Sequence, residues 1–211
     1  MPTRIKICGI TRVQDGLAAA RAGADAIGLV FAERSPRRVG LELACEIVQA
    51  LPPFVTTVAL FVNAGMATVA EVVHRLHPGC LQFHGEETPA YCASFGLPWL
   101  KAVRVRPGVD LIQFAALHAD AQGLLLDAFN PAAHGGTGES FDWRLIPVGL
   151  SRPVVLAGGL TTVNVADAVR LVRPWAVDVS SGVESAPGIK DAAAIAAFVN
   201  EIRQVDVQLS R

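Results

Sequence analysis

This chain of 211 residues should fold as a single α/β domain, eight parallel strands closed into a (β/α)8 barrel. Three features point there. Eight short apolar runs follow one another along the chain, most of them starting roughly 20–30 residues apart, the repeat of a βα unit. The stretches between them carry single apolar stripes at helical spacing. The runs are apolar throughout rather than alternating, as strands covered on both faces must be, and hydrophobic residues make up 52% of the chain. A chain of this length can bury a substantial core and lies close to the lower limit for eight βα units.

The runs are Ile5–Cys8, Ala26–Phe31, Thr57–Val62, Leu81–His84, Trp99–Val103, Gly123–Asp127, Pro153–Ala157 and Ala176–Ser180. Gly23 follows the first helix as its left-handed stop. Ala44, Ile47, Val48 and Leu51 form the apolar stripe of the second helix, and Val69, Val72, Val73 and Leu76 that of the third. Thr88 and Pro89 stand as N-cap and first residue of the fourth. The sixth is the weakest, because Phe141–Ile146 is short and stopped by Pro147. Val165, Ala168, Val169 and Val172 mark the seventh, and Ile195, Phe198, Val199 and Ile202 the last. No linker, low-complexity tract or charge run interrupts the series. An open doubly wound sheet is the structural alternative. Its dinucleotide-binding form carries GxGxxG after the first strand, where this chain has Cys8-Gly9-Ile10-Thr11.

Composition narrows the function. The net charge is -1 and no Lys/Arg block stands out, which argues against nucleic acid as a partner. No stretch approaches the roughly 18 uninterrupted apolar residues of a membrane span. The N-terminus is strand-like at once and lacks a basic region followed by an apolar run, so no signal peptide is expected. Cys8, Cys45, Cys80 and Cys92 show no CxxC spacing, which speaks against a zinc or redox motif and for a reduced, cytoplasmic chain. Cys45, Cys80 and Cys92 are expected to be small buried packing residues. His74 and His77 lie one turn apart without a third ligand, so a surface helix face is expected there and no metal site.

In a parallel barrel the C-terminal ends of all strands open into one mouth, and the chemistry gathers there. Cys8 stands at the first exit as a candidate base or nucleophile. An unperturbed thiol is mostly protonated at neutral pH, so the mouth is expected to lower its pKa through backbone dipoles or a nearby arginine. Asp127 stands at the sixth exit, directly after three leucines. It is either a turn cap or a general acid whose pKa apolar neighbours or negative charge would raise. Arg34, Arg37 and Arg38 follow the second strand, and one of them reaching the mouth would clamp a carboxylate. His84 follows the fourth strand and either lines the mouth or satisfies a local bond. Gly158-Gly159 alone is a tight turn. Paired with Ser180-Ser181-Gly182 after the last strand, it points to a phosphate site of amide and hydroxyl donors. The long loop after Asp127 holds Gly135-Gly136-Thr137-Gly138, which lacks the GK[ST] of a phosphate-binding P-loop. It is expected to act as a mobile lid or to add amide donors.

These residues resemble the phosphoribosylanthranilate isomerase family, single-domain TIM barrels of tryptophan biosynthesis. The resemblance runs from Lys6-Ile7-Cys8-Gly9-Ile10-Thr11 through Gln82-Phe83-His84-Gly85-Glu86 and Leu125-Leu126-Asp127. It ends at Asp178-Val179-Ser180-Ser181-Gly182-Val183-Glu184. It implies an Amadori rearrangement of a phosphosugar substrate without a cofactor or metal, with Cys8 as general base and Asp127 as general acid. It further implies Arg37, with Arg38 beside it, for the anthranilate carboxylate. Gly158, Gly159, Ser180, Ser181 and Gly182 would hold the phosphate. Asp178 would orient the neighbouring loop or Asp127. Two rivals stand beside this reading. One is the sister barrel of histidine biosynthesis, whose two phosphate half-sites and aspartate base this chain lacks. The other is an idle phosphate-binding barrel, which would have no need of Cys8 and Asp127. A monomer and a homodimer are both compatible with the sequence.

Overall fold

A computed structural model describes residues 1–128 and 141–210. Eight parallel strands close into a barrel in sequence order, each hydrogen-bonded to the next and the last to the first. They are β1 (Arg4–Cys8), β2 (Ala26–Val30), β3 (Thr56–Phe61), β4 (Cys80–Phe83), β5 (Trp99–Val105), β6 (Gly123–Ala128), β7 (Val154–Leu156) and β8 (Ala176–Val179). The helices are α1 (Val13–Ala22), α2 (Leu41–Ala50), α3 (Met66–Leu76), α4 (Pro89–Ala93), α5 (Leu111–Leu117), α6 (Val165–Val172) and α7 (Ala192–Leu209). Phe31, Val62, His84, Ala157 and Ser180 fall just beyond their strands, which places them on the exit loops.

Local chemistry explains the element ends. Gly23 adopts φ 92°, and the Gly23 and Ala24 N–H groups donate back to Ala20 and Ala19, a left-handed stop that no branched residue would accept. The Thr88 hydroxyl caps α4 by accepting from the Tyr91 N–H, with Pro89 in the first turn. Where a sixth full helix would lie, the described residues form only a 3₁₀ turn, Trp143–Leu145, begun by the Asp142 carboxylate and followed by Pro147. A proline there removes a donor and ends the turn.

Strand alternation sorts the core into two layers. Ile5, Ile7, Ile27, Leu29, Phe61, Leu81 and Phe83 face outward, packed against Ala44, Ile47, Val69, Val72, Val169 and Phe198 from the helices. Inside the barrel Ala102, Leu125, Val155, Ala157 and Ala176 form one small cluster, and Cys8, Val30 and Leu60 another nearer the mouth.

Past β8 the chain makes a 3₁₀ turn (Ser181–Val183) and a short antiparallel hairpin, β9 (Glu184–Ala186) with β10 (Ile189–Lys190), before α7. The hairpin carries no apolar alternation and was not expected from the sequence. The two ends of the barrel chain are clasped. The Thr3 N–H and hydroxyl donate to the two Asp206 carboxylate oxygens at 2.8 and 2.7 Å, and Arg203 donates to the Thr3 carbonyl at 2.8 Å.

Candidate active site

The strand exits enclose a cleft of about 740 Å³, counting the part open to solvent. It is lined by Cys8, Arg37, Gln82, His84, Asp127, Gly158, Gly159, Asp178, Ser180 and Ser181, with Val30, Leu60, Leu125 and Ala157 as its apolar wall. Nine of the ten residues expected at the site therefore meet in one place. Gly182 does not line the cleft. A side chain there would collide with the Leu160 carbonyl, so its bareness lets the loop after β8 pack on the loop after β7.

Cys8 ends β1, and Lys6, two residues before it on the same strand face, lies directly below. A Cβ on Gly28 of β2 would stand 2.7 Å from Cys8 Sγ and 3.0 Å from Lys6 Nζ. Thiol and ammonium thus share the space that the missing side chain leaves. Lys6 Nζ also donates to Asp178 Oδ1 at 2.8 Å, and both side chains are buried. Asp178 accordingly orients Lys6, and no hydrogen bond joins it to Asp127 among the described residues. Burial alone would lower the Lys6 pKa, but Asp178 and then the sulfur outweigh it and hold the ammonium above its ordinary value.

The expectation of a lowered thiol pKa is reversed. Burial pushes Cys8 above its ordinary value, Lys6 opposes it, and Asp178 adds to it. The arginine expected to help is otherwise engaged. Arg37 donates from Nε and Nη2 to the two Glu184 oxygens at 2.8 and 2.7 Å, which raises the pKa of the guanidinium further. Nη1 takes no part in that pair. Arg38 is exposed and bridges to Val30, so Arg37 is the arginine that reaches the cleft.

Glu184 is also the partner of Lys190, whose Nζ donates to Oε1 at 2.7 Å and to the Ser180 carbonyl at 3.0 Å. Burial tends to raise the Glu184 carboxyl, but Arg37 and Lys190 overcome it and hold it below the usual range. Burial pushes the Lys190 pKa down against the pull of Glu184. The hairpin thereby props both the arginine and the serine loop from behind.

Asp127 lies near the end of β6 and is 6% exposed. Its Oδ1 accepts from the Ala128 N–H at 2.9 Å, and its Oδ2 lies 3.1 Å from His84 Nε2. His84 Nδ1 lies 3.3 Å from Gln82 Nε2. Beneath that exit Lys101 donates to Glu87 (2.8 Å) and to the Gly85 carbonyl (2.5 Å), which fixes the loop carrying His84. Gly158, at φ 78°, has no room for a Cβ against the Ala128 backbone and Asp127 Oδ1. Among the described residues no backbone carbonyl accepts from the Gly159, Ser180 or Ser181 N–H groups. Glycine and serine N–H groups beside a cleft and without a backbone acceptor suit an anion.

Lys6, Gln82 and Glu184 stand in the motifs that carry the resemblance but have no role assigned from the sequence, and Lys190 has no sequence signal at all. The first two had a signal, since each stands two residues before a candidate, on the same strand face. The loop holding Gly135–Gly138 lies outside the described residues. Cys92 is buried as expected, whereas Cys45 and Cys80 are only partly so. Among the described residues no cluster of three His, Cys, Asp or Glu is placed to hold a metal, and no helix is long and apolar enough to cross a membrane.

A model of the N-(5′-phosphoribosyl)anthranilate (PRA) isomerase family matches residues 5–201. The N-(5′-phosphoribosyl)anthranilate isomerase of Thiobacillus denitrificans is 58% identical over 203 residues, which is 96% of this chain and 99% of that one. The crystal structure of phosphoribosyl anthranilate isomerase from Thermotoga maritima superposes with a TM-score of 0.89 at 39% identity, over 96% of this chain and 99% of the other. A further structure of the enzyme, in complex with reduced 1-(o-carboxyphenylamino)-1-deoxyribulose 5-phosphate, gives 0.85 at 37% identity, again over 96% and 99%. A closed eight-stranded barrel, a cleft at its strand exits and a match along nearly the whole sequence lead to one conclusion: the chain belongs to the N-(5′-phosphoribosyl)anthranilate isomerase family.

Proposed function

We propose that Cys8 and Asp127 are the base and the acid of the isomerisation. As a member of this family the chain is an isomerase of tryptophan biosynthesis. It converts an aminoaldose, N-(5-phosphoribosyl)anthranilate, to the aminoketose 1-(2-carboxyphenylamino)-1-deoxyribulose 5-phosphate. The family match sets aside both the histidine-pathway barrel and the idle barrel. One observation carries the assignment of roles: a thiol from β1 and a carboxyl from β6 line the same cleft, which also holds glycine and serine donors and an arginine.

In this reading Asp127 protonates the furanose ring oxygen as its bond to C1′ breaks. The anilino nitrogen lone pair forms the C1′=N bond of a Schiff base. The Cys8 thiolate then removes the C2′ proton, and the bonding pair flows through C1′ to nitrogen, leaving a neutral enolamine. Tautomerisation places a proton on C1′ and takes one from the C2′ hydroxyl, so substrate and product are isomers and nothing is oxidised or reduced overall. The N–H groups of Gly159, Ser180 and Ser181 with the serine hydroxyls hold the phosphate, and Gly158 and Gly182 let the two loops close on it. Arg37, oriented by Glu184, offers its Nη1 side to the anthranilate carboxylate. Asp178 acts through Lys6. Four unpaired thiols support a cytoplasmic enzyme. We infer a monomer or a homodimer, which sedimentation velocity separates.

The test is the fluorescence decay of phosphoribosylanthranilate made in situ. The wild type should turn over, and Cys8→Ser and Asp127→Asn should each fall by at least roughly a hundredfold, the effect of losing a proton-transfer group. A variant that keeps activity within a few fold of wild type removes its residue from the mechanism.

A further inference from the structure

Gln82 is fully buried in the barrel wall below His84, and only the nitrogen end of its amide has a hydrogen-bond partner. The amide nitrogen lies 3.3 Å from His84 Nδ1, while Oε1 is buried with no hydrogen-bond partner among the described residues. A buried glutamine is ordinarily locked because both ends of its amide are paired. Here nothing holds the second end, and turning the amide about its last bond exchanges nitrogen for oxygen in nearly the same space. Turning exchanges what is presented to His84 and leaves an NH₂ in place of a carbonyl at the unpaired end.

We propose that Gln82 is a positioning residue whose amide turns with the proton state of the His84–Asp127 pair. The proposal rests on the reading of Asp127 as the acid. A neutral imidazole has one N–H and one lone pair. With Asp127 ionised, His84 Nε2–H donates to Oδ2 across the observed 3.1 Å, Nδ1 is the acceptor, and the Gln82 NH₂ donates to it. With one more proton on the pair, whether it rests on the imidazole or on Asp127, Nδ1 carries a hydrogen, and Gln82 must accept it through Oε1. Both states keep two hydrogen bonds along the chain Gln82–His84–Asp127. A group that gives up a proton and regains it within each turnover needs a support that fits both of its forms, and a fixed donor or a fixed acceptor fits one.

The charged neighbours do not change between the two orientations. Cys8 lines the cleft from β1, Arg37 from the exit of β2 and Asp178 from β8, with Lys6 below Cys8 and bound to Asp178. On β5, Arg104 stands beside Asp127 in register, and Lys101 is bound to Glu87.

The experiment is a pH titration of the ¹⁵N shifts of the His84 ring in the ligand-free protein, assigned against His84→Asn, for the wild type, Gln82→Met and Gln82→Glu. In the wild type Nδ1 should pass from a bare to a protonated nitrogen as the pair takes up a proton. Methionine offers that N–H no acceptor, and Nδ1 should take its proton only at lower pH than in the wild type. Glutamate is an acceptor only, and Nδ1 should keep its proton to higher pH than in the wild type. Gln82→Met should lower kcat roughly tenfold, the size of one lost hydrogen bond, with KM within about twofold. The same Nδ1 titration in all three proteins, or an unchanged kcat in Gln82→Met, overturns the proposal. A wild type inert toward phosphoribosylanthranilate would instead overturn the assigned reaction, and the ring titration would still decide the role of Gln82.

Discussion

Burial works on Cys8 in the direction opposite to what a base needs, and Lys6 is the residue that opposes burial most. The thiolate is the reactive form, so the fraction available grows with pH and stays small below the raised pKa. The rate of Cys8 alkylation by iodoacetamide, followed on its own peptide, should rise with pH to a midpoint above that of a free thiol. Replacing Lys6 and Asp178 together, as Lys6→Met with Asp178→Asn, leaves no unpaired buried charge and should move that midpoint further up. A midpoint at or below the free-thiol value in the wild type would refute the account. At this scale the sequence was readable for Cys8 and Asp127 because each stands at a strand end, whereas position alone left Arg34, Arg37 and Arg38 equivalent and only the family resemblance pointed to Arg37. Lys6 and Gln82 were equally accessible through the two-residue alternation of a strand. Neither shows a role by itself, because a lone polar residue in an apolar run looks like an interruption. The engagement of Arg37 by Glu184 spans 147 positions and rests on a hairpin without a sequence signature.

The helices with four-residue stripes formed where their spacing put them, since each stripe has a complementary outward strand face to cover. The sixth unit differs because Pro147 and a short apolar stretch cannot sustain a second turn. The loops after β7 and β8 show how an element depends on one bare position. A methyl group at Gly182 would overlap the Leu160 carbonyl, a backbone atom that cannot swing aside. Gly182→Ala should therefore weaken inorganic phosphate binding, read by calorimetry, by at least roughly tenfold and lower the melting temperature. The same substitution at Gly40, which has open space around it, should leave phosphate binding unchanged. Equal affinity in wild type and Gly182→Ala would show that the loop contact does not shape the anion site.

For the molecule as a whole, closure joins the most distant parts of the chain. β1 pairs with β8 in register, Lys6 opposite Asp178, and Thr3 is held by Asp206 a further helix away. Asp206→Ala leaves two Thr3 donors without their carboxylate and should cost about 1–3 kcal/mol in urea unfolding, with kcat unchanged because the clasp lies at the strand starts, away from the mouth. An unchanged midpoint would mean the clasp contributes nothing to closure. The closed order of strands followed from their number and spacing. The clasp did not, because threonine and aspartate at the two ends carry no pattern that pairs them. That ring closure also sets an order of events during synthesis. Translation at about 5–20 residues per second releases Cys8 on the first strand well before Ser180 and Ser181, which line the same cleft. A nascent chain stalled before β8 would carry Cys8 on a strand with one edge unpaired. Activity should appear only once the last strand and the helix behind it have left the ribosome, so the enzyme is completed in a single late step rather than unit by unit.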